Sequence, residues 1–249
     1  MFPQPSLADA RATNHPRISL LGGFRLDVDG PALALPEGSK RLLAFLALKH
    51  RVMPRQTVAG TLWPVSTAER AYASLRSALA RLHGGARTAV ASTTRELRLS
   101  EEVTVDLWDA KAIAHRLLDP APSPQPSNAP GPEAISALSA ELLPDWDDDW
   151  ALVEAEGWRQ LRLHALESLA DRFTVQGRYG DAAAAALSAA HADLLRESPR
   201  AALIRMHIAE GNPTEALREF ATYKELLMLE LGVEPTERLR ALVADLGPV

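Results

Sequence analysis

Arg70, Ala73, Ser74, Ser77 and Arg81 fall on one side of a helical wheel, and Ala71, Tyr72, Leu75, Leu79 and Leu82 fall on the other. Two arginines separated by small side chains suit contact with double-stranded DNA. The small residues let a helix approach base edges in the major groove, and the guanidinium groups reach guanines or phosphates. Arg76 projects sideways and suits a phosphate contact. A solvated amphipathic helix with ordinary surface arginines draws the same wheel, so the surroundings must decide. Downstream, Ser92-Thr93-Thr94-Arg95 puts hydroxyls and an arginine at a predicted hairpin tip. Thr93, Thr94 and Arg95 are the kind of residues that touch phosphates or a minor groove, although a plain polar turn has the same composition. Lys40-Arg41 and Lys49-His50-Arg51 bracket another helix and read more readily as a solvated face.

The charge around these residues is lopsided. Residues 1–118 carry 16 Lys+Arg against 10 Asp+Glu, and residues 119–249 carry 11 against 22. Between residues 40 and 98 there are 11 basic residues and only two acidic ones, Glu69 and Glu96. The whole-chain net charge of −5 therefore hides a basic first half and an acidic second half. A basic patch attracts a phosphate backbone and speeds association with it. The acidic remainder suits a separate task.

The elements that would position the arginines follow from local signals. Ile18 to Val28 alternates weakly and is interrupted by Gly22-Gly23; Asp29-Gly30 reads as a turn and Ala32 to Leu35 resumes the alternation, which predicts a hairpin. Ser39 is read as the N-cap of a helix carrying Leu42, Leu43, Phe45, Leu46 and Leu48. Pro54 opens a short helix to Leu62, ended by Trp63-Pro64, with Trp63 expected in the core. Thr67 caps a helix from Ala68 to about His83, stopped by Gly84-Gly85. Thr88 to Leu99 predicts a second hairpin, Val103 and Val105 a short strand, and Asp106 to Leu118 a helix. Three helices followed by a β-hairpin is the order of a winged helix-turn-helix.

Asp119 to Pro132 contains six prolines and almost nothing apolar, and it falls where the charge changes sign. It reads as a semi-stiff linker. Beyond it only helical periodicity remains, with helices predicted over 148–176, 180–196, 199–210, 214–231 and 236–246. Gly177-Arg-Tyr-Gly-Asp181-Ala182 is echoed by Gly211-Asn-Pro-Thr-Glu215-Ala216 at an offset of 34 residues. That is the period of tetratricopeptide helix pairs. The glycine breaks the chain between helices, and the alanine five residues on lets the second helix come close.

Other functions find little support. No Walker A motif, Gly-x-Gly-x-x-Gly or His-Glu-x-x-His occurs, and we expect neither a catalytic residue nor a cofactor. The seven histidines are scattered, the chain has no cysteine, and no metal site is expected. Asp147-Asp148-Asp149, flanked by Trp146 and Trp150, reads as an acid-rich helix N-terminus rather than a cation site. No apolar run is long enough to span a bilayer, and Met1 to Pro16 lacks the apolar stretch of a signal peptide. Residues 1–17 read as a disordered tail, and the expected location is the cytoplasm.

Taken together, the two halves resemble a known family. Residues 18–118 look like an OmpR-type winged helix at Leu20-Leu21-Gly22, Leu62-Trp63-Pro64, Ala73-Ser74-Leu75-Arg76, Arg81-Leu82 and Val105-Asp106. Residues 133–249 are similar to the bacterial transcriptional activator domain at Leu142-Leu143-Pro144, Trp150, Arg159 to Glu167, Gly177, Ala182, Glu197, Gly211-Asn212, Ala216, Leu231-Gly232 and Pro235. This order is similar to that of the Streptomyces antibiotic regulatory proteins. Three places depart from the pattern: Arg95-Glu96 replaces a Gly-Tyr before the last wing strand, Leu82-His83 ends the reading helix, and Glu154-Ala155-Glu156-Gly157 lacks the arginines often seen there.

The expected fold is an α+β winged helix-turn-helix domain over 18–118, the linker over 119–132, and an all-α tetratricopeptide-like helical repeat over 133–249. The resemblance implies a transcriptional activator that binds promoter direct repeats in double-stranded DNA and recruits RNA polymerase. The helical repeat would supply a homodimer contact or other partner contacts, and no membrane partner is expected. The alternative is a helical-repeat interaction adaptor with little DNA affinity. Salt separates the two, because DNA binding weakens steeply with ionic strength.

Overall fold

A computed structural model describes residues 15–28, 30, 32–119 and 131–247. The tail expected over 1–17 lies outside the described residues as far as residue 14, and so does 120–130 of the expected linker. The chain forms two compact units. One comprises the described residues up to Asp106 together with Asp145–Ala151; the other comprises those of Leu107–Pro144 and from Leu152 onward.

In the first unit β1 (Arg17–Ser19) pairs antiparallel with β2 (Arg25–Asp27) and parallel with β6 (Thr104–Val105). Ile18 sits between Leu26 and Val105 in register, and all three are buried. One reversal, between β1 and β2, falls at Gly22-Gly23, expected only as an interruption; the return expected from Ala32 is met in part, by an antiparallel bridge from Asp27 to Ala32 and the Leu33 N–H donating to Leu26 O at 2.8 Å. Gly22 and Gly23 take φ values of 76° and 128°, which glycine adopts without a Cβ clash. The Asp106 carboxylate accepts the Leu20 and Leu21 N–H groups at 2.9 and 3.2 Å, satisfying donors where β1 ends.

Helix α1 (Glu37–Lys49) buries an unbroken run from Leu42 to Leu48. Its N-cap is Pro36, whose carbonyl accepts the Ser39 and Lys40 N–H groups. Ser39, expected as the cap, lies inside the first turn. Its hydroxyl is buried and donates to the Ala78 carbonyl at 2.8 Å, a partner far along the chain. A two-residue strand, β3 (Met53–Pro54), precedes α2 (Arg55–Leu62). Then come α3 (Ala68–Ala80), a single turn α4 (Gly85–Thr88), β4 (Val90–Ser92) and β5 (Glu96–Leu99), with β5 central between β3 and β4. Strand β3 and α4 are too short to leave a periodic signal in the sequence.

Asp145–Ala151 completes this unit with aromatic rings. Trp150 meets Phe45 of α1 edge-on at 5.4 Å and Trp146 edge-on at 5.7 Å, while Trp146 lies 6.1 Å from Phe24. Edge-to-face pairs at these separations are favourable beyond the area they bury. Asp148 forms an ion pair with Arg41. Asp149 opens α7 (Asp149–Val175), where an acid suits the helix dipole. Among the described residues, no group of acids and histidines could hold a metal ion.

The second unit is helical. Helix α5 (Asp106–Leu118) has the span expected of it, and α6 (Glu133–Ser139) was not expected. Helix α7 is followed by α8 (Tyr179–Ala192), α9 (Glu197–Glu210), α10 (Pro213–Leu231), α11 (Glu237–Val243) and a closing 3-10 turn, Ala244–Leu246. The two turns of the sequence echo share one geometry. Gly177 has φ 71° and donates to Thr174 O, while Arg178 N donates to Phe173 O; Gly211 has φ 86° and donates to Ile208 O, while Asn212 N donates to His207 O. Each is a Schellman ending. Ala182 and Ala216 begin the next helices fully buried, and Ala216 joins a cluster with Ile204 and Tyr223. Helix α11 is fastened at its cap: Glu197 accepts from both the backbone N–H and the hydroxyl of Thr236.

Candidate nucleic-acid interface

Helix α3 exists as the wheel requires. Thr67 takes extended backbone angles as N-cap, and its Oγ1 accepts the Arg70 N–H at 3.4 Å. Ala71, Leu75, Ala78, Leu79 and Leu82 are buried, anchoring one side in the core. On the other side Arg70, Ala73, Arg76, Ser77 and Arg81 are exposed and Ser74 is half-buried. The helix ends at Ala80, earlier than expected. Leu82 N reaches back to Leu79 O, so the tightened last turn keeps Arg81 in sequence with the face. Among the described residues, no carboxylate pairs with the side chains of Arg70, Arg76 or Arg81. Glu69, the acid nearest to them in sequence, is itself exposed and makes no ion pair among the described residues.

A shallow groove of about 390 Å³ runs along this face, lined by Ala73, Ser74 and Ser77 of α3 and its C-cap Arg81, and by Gly38, Ser39 and Trp63 from elsewhere in the same unit. Trp63, expected in the core, is half-buried on the groove wall instead. A Cβ at Gly38 would fall 3.7 Å from its ring and 3.8 Å from the Ala78 methyl. The first turn of α1 therefore lies close against the indole.

The wing is the β4–β5 hairpin. Thr94 and Arg95 are exposed at its tip. Thr93 is exposed too, but its hydroxyl oxygen accepts the N–H groups of Arg95 and Glu96 at 3.2 and 3.0 Å, and its own N–H donates to Glu96 O. Thr93 thus shapes the turn that presents Thr94 and Arg95. Sequence reasoning passed over Arg55. Its Nε donates to Thr93 O at 2.9 Å, and its backbone N–H donates to Arg95 O at 2.8 Å. A carbonyl target has no side-chain signature, so nothing in residue spacing announced this contact.

Residues 105–246 match the bacterial transcriptional activator domain family. No curated protein matches the sequence. Among solved structures, the fold is similar to Mycobacterium tuberculosis EmbR in complex with a low affinity phosphopeptide. The TM-score is 0.68 at 20% identity, over 95% of this chain and 66% of that one. This chain therefore spans just under two thirds of the EmbR chain.

Proposed function

Because the chain belongs to the bacterial transcriptional activator domain family, we propose that it is a DNA-binding transcriptional activator whose α3 enters the major groove of promoter DNA. The observation that carries this reading is the set of exposed arginines, Arg70 and Arg76 on α3 and Arg81 at its C-cap, none of which is paired with a carboxylate among the described residues. Free surface arginines around small residues keep their donors for an external anion, and DNA is the anion that a helix of this shape fits. Arg70 and Arg81 reach guanines or phosphates, Arg76 a phosphate, and Ala73, Ser74 and Ser77 give the close approach. Thr94 and Arg95 on the wing add contacts to the adjacent backbone.

The helical unit has another role in this reading. It provides the contacts of a homodimer on direct-repeat sites or the surface that recruits RNA polymerase. The family is one of transcription regulators and not of enzymes. No helix among the described residues is long and apolar enough to cross a membrane.

The test is a titration of the full chain against a promoter duplex recovered by mapping its genomic binding sites, repeated over a salt series. The expected result is specific binding with a steep linear fall of log affinity against log salt. Binding that is absent, or indifferent to salt, sinks the reading and favours an interaction adaptor.

A further inference from the structure

We propose that Arg55 does two jobs at once: it positions the wing and offers its terminal nitrogens to a phosphate of the DNA backbone. The proposal rests on the DNA-binding reading above and adds a residue to it.

Arg55 is the first residue of α2 and is joined to the wing on both sides of Thr94. Its backbone N–H donates to Arg95 O at 2.8 Å and its Nε to Thr93 O at 2.9 Å. Pro54 before it has no N–H, so Arg55 makes the first donor contact from α2 to the tip. A guanidinium carries five N–H donors in a planar fork, and the Nε bond uses one. The terminal nitrogens of Arg55 have no partner among the described residues. Holding Nε on a carbonyl fixes the plane of the fork, so the remaining donors need little further ordering to grip an anion. A tetrahedral phosphate takes two such donors in parallel. The opening turn of α2 has exposed Gln56 and Thr57 and no acid of its own, so its dipole favours an anion there; the acid beside the tip is Glu96, in register with Pro54.

The experiment uses the full chain and a mixed-sequence DNA duplex. Anisotropy titrations over a salt series are combined with amide exchange at the wing tip, measured without DNA, for wild type, Arg55→Ala and Arg55→Lys. Arg55→Ala is expected to weaken binding roughly tenfold and to make the salt slope shallower by about one. Faster exchange of the Thr93 and Glu96 amides should accompany this. Arg55→Lys keeps the charge and loses the fork: its salt slope stays near wild type while the tip amides still exchange faster. Should Arg55→Ala fail to fold in a circular dichroism melt, Arg55→Gln takes its place with the same expected outcomes. An unchanged salt slope in the uncharged variant overturns the proposal, and so does unchanged exchange at the tip in both variants. A wild-type chain without salt-dependent binding overturns the DNA-binding reading itself. Normal wild-type binding with an indifferent variant overturns only the role of Arg55.

Discussion

Arg70, Arg76 and Arg81 of the first unit stand exposed with no carboxylate partner among the described residues, whereas in the second unit Arg159, Arg178, Arg196, Arg200 and Arg205 each hold one. The pairs in the second unit join helices to each other or staple a turn: Arg196 to Glu167 and Arg205 to Asp171 link α9 and its leading residue to α7, and Arg200 to Glu219 links α9 to α10. Arg25, Arg41 and Arg98 of the first unit are paired as well, so the contrast is local to α3 and its C-cap, where the arginines have no carboxylate partner among the described residues. Arginine count alone would have missed this, because 23 of the 27 basic residues are arginine wherever one looks. The acid available around each arginine makes the difference.

The largest effect concerns the scaffold beneath the free arginines. Trp150→Ala removes a side chain only 9% exposed that packs on Phe45 and Trp146. It should cost ~3–5 kcal/mol of first-unit stability. In a thermal melt the first unit should unfold at lower temperature, with DNA affinity preserved well below that transition. Lost affinity in a variant that is still folded would tie DNA contact to Trp150 and weaken the contrast drawn from α3.

Next come the arginines themselves. Arg70→Ala or Arg81→Ala should each cost ~1–3 kcal/mol of binding free energy if it reads a guanine, with little change in melting. Arg196→Ala should do the reverse. Its side chain and that of Glu167 are 19% and 15% exposed, and Glu167 would be left without its cation. Melting of the second unit should fall and DNA affinity should stay. Paired gel-shift and melting measurements on the three variants check the contrast directly. If Arg70→Ala and Arg81→Ala combined leave operator affinity untouched at fixed salt, α3 is not the reader.

A third substitution tests the repeat. Ala216→Leu places a larger side chain where none of the alanine is exposed, beside Ile204 and Tyr223. Overpacking there should cost ~1–3 kcal/mol and lower the melting temperature of the second unit alone. Unchanged melting would mean that the 34-residue echo and its twin Schellman endings do not mark a packed repeat.

These residues also show what could be read from the sequence. Thr67 as a cap, the bounds of α5 and the Gly177/Gly211 echo were legible, because each depends on signals within one turn or one fixed period. The faces of α3 were legible for the same reason. What escaped was bonded across the chain. Ser39 looked like a cap because nothing local reveals the Ala78 carbonyl that takes its hydroxyl. Arg55 drew no reading from the sequence because its targets are main-chain oxygens. Trp146 and Trp150 lie more than a hundred residues from the phenylalanines they cover, and that pairing is decided by the fold. Gly22-Gly23 was expected only as an interruption and is the reversal between β1 and β2, because a glycine pair breaks the alternation in the same way whether or not the chain turns back on itself.

The smallest expected effect belongs to a pair on the paired side of the contrast. Arg159 donates to both carboxylate oxygens of Glu156 at 2.8 and 2.9 Å, Gln160 donates to the same group, and Arg159 also reaches Asp193. The bonds from Arg159 and then Gln160 hold the Glu156 carboxyl down at about 2, against an ordinary 4.5. A carboxyl whose folded value is depressed adds stability above its unfolded value, and that stability is lost as pH falls through the folded value. The contribution is therefore complete above pH 4.5 and fades between 4.5 and about 2. Glu156 is mostly exposed, so water and salt screen the pair and the gain stays small. Glu156→Gln removes the charge and keeps the shape. The variant should melt slightly below wild type at neutral pH, and the gap should close as pH falls through that window. A gap that stays constant down to pH 2, or one that opens only in acid, would show that Glu156 is not held ionised by Arg159. The contrast between spent and free arginines would then lose one of its clearest pairs.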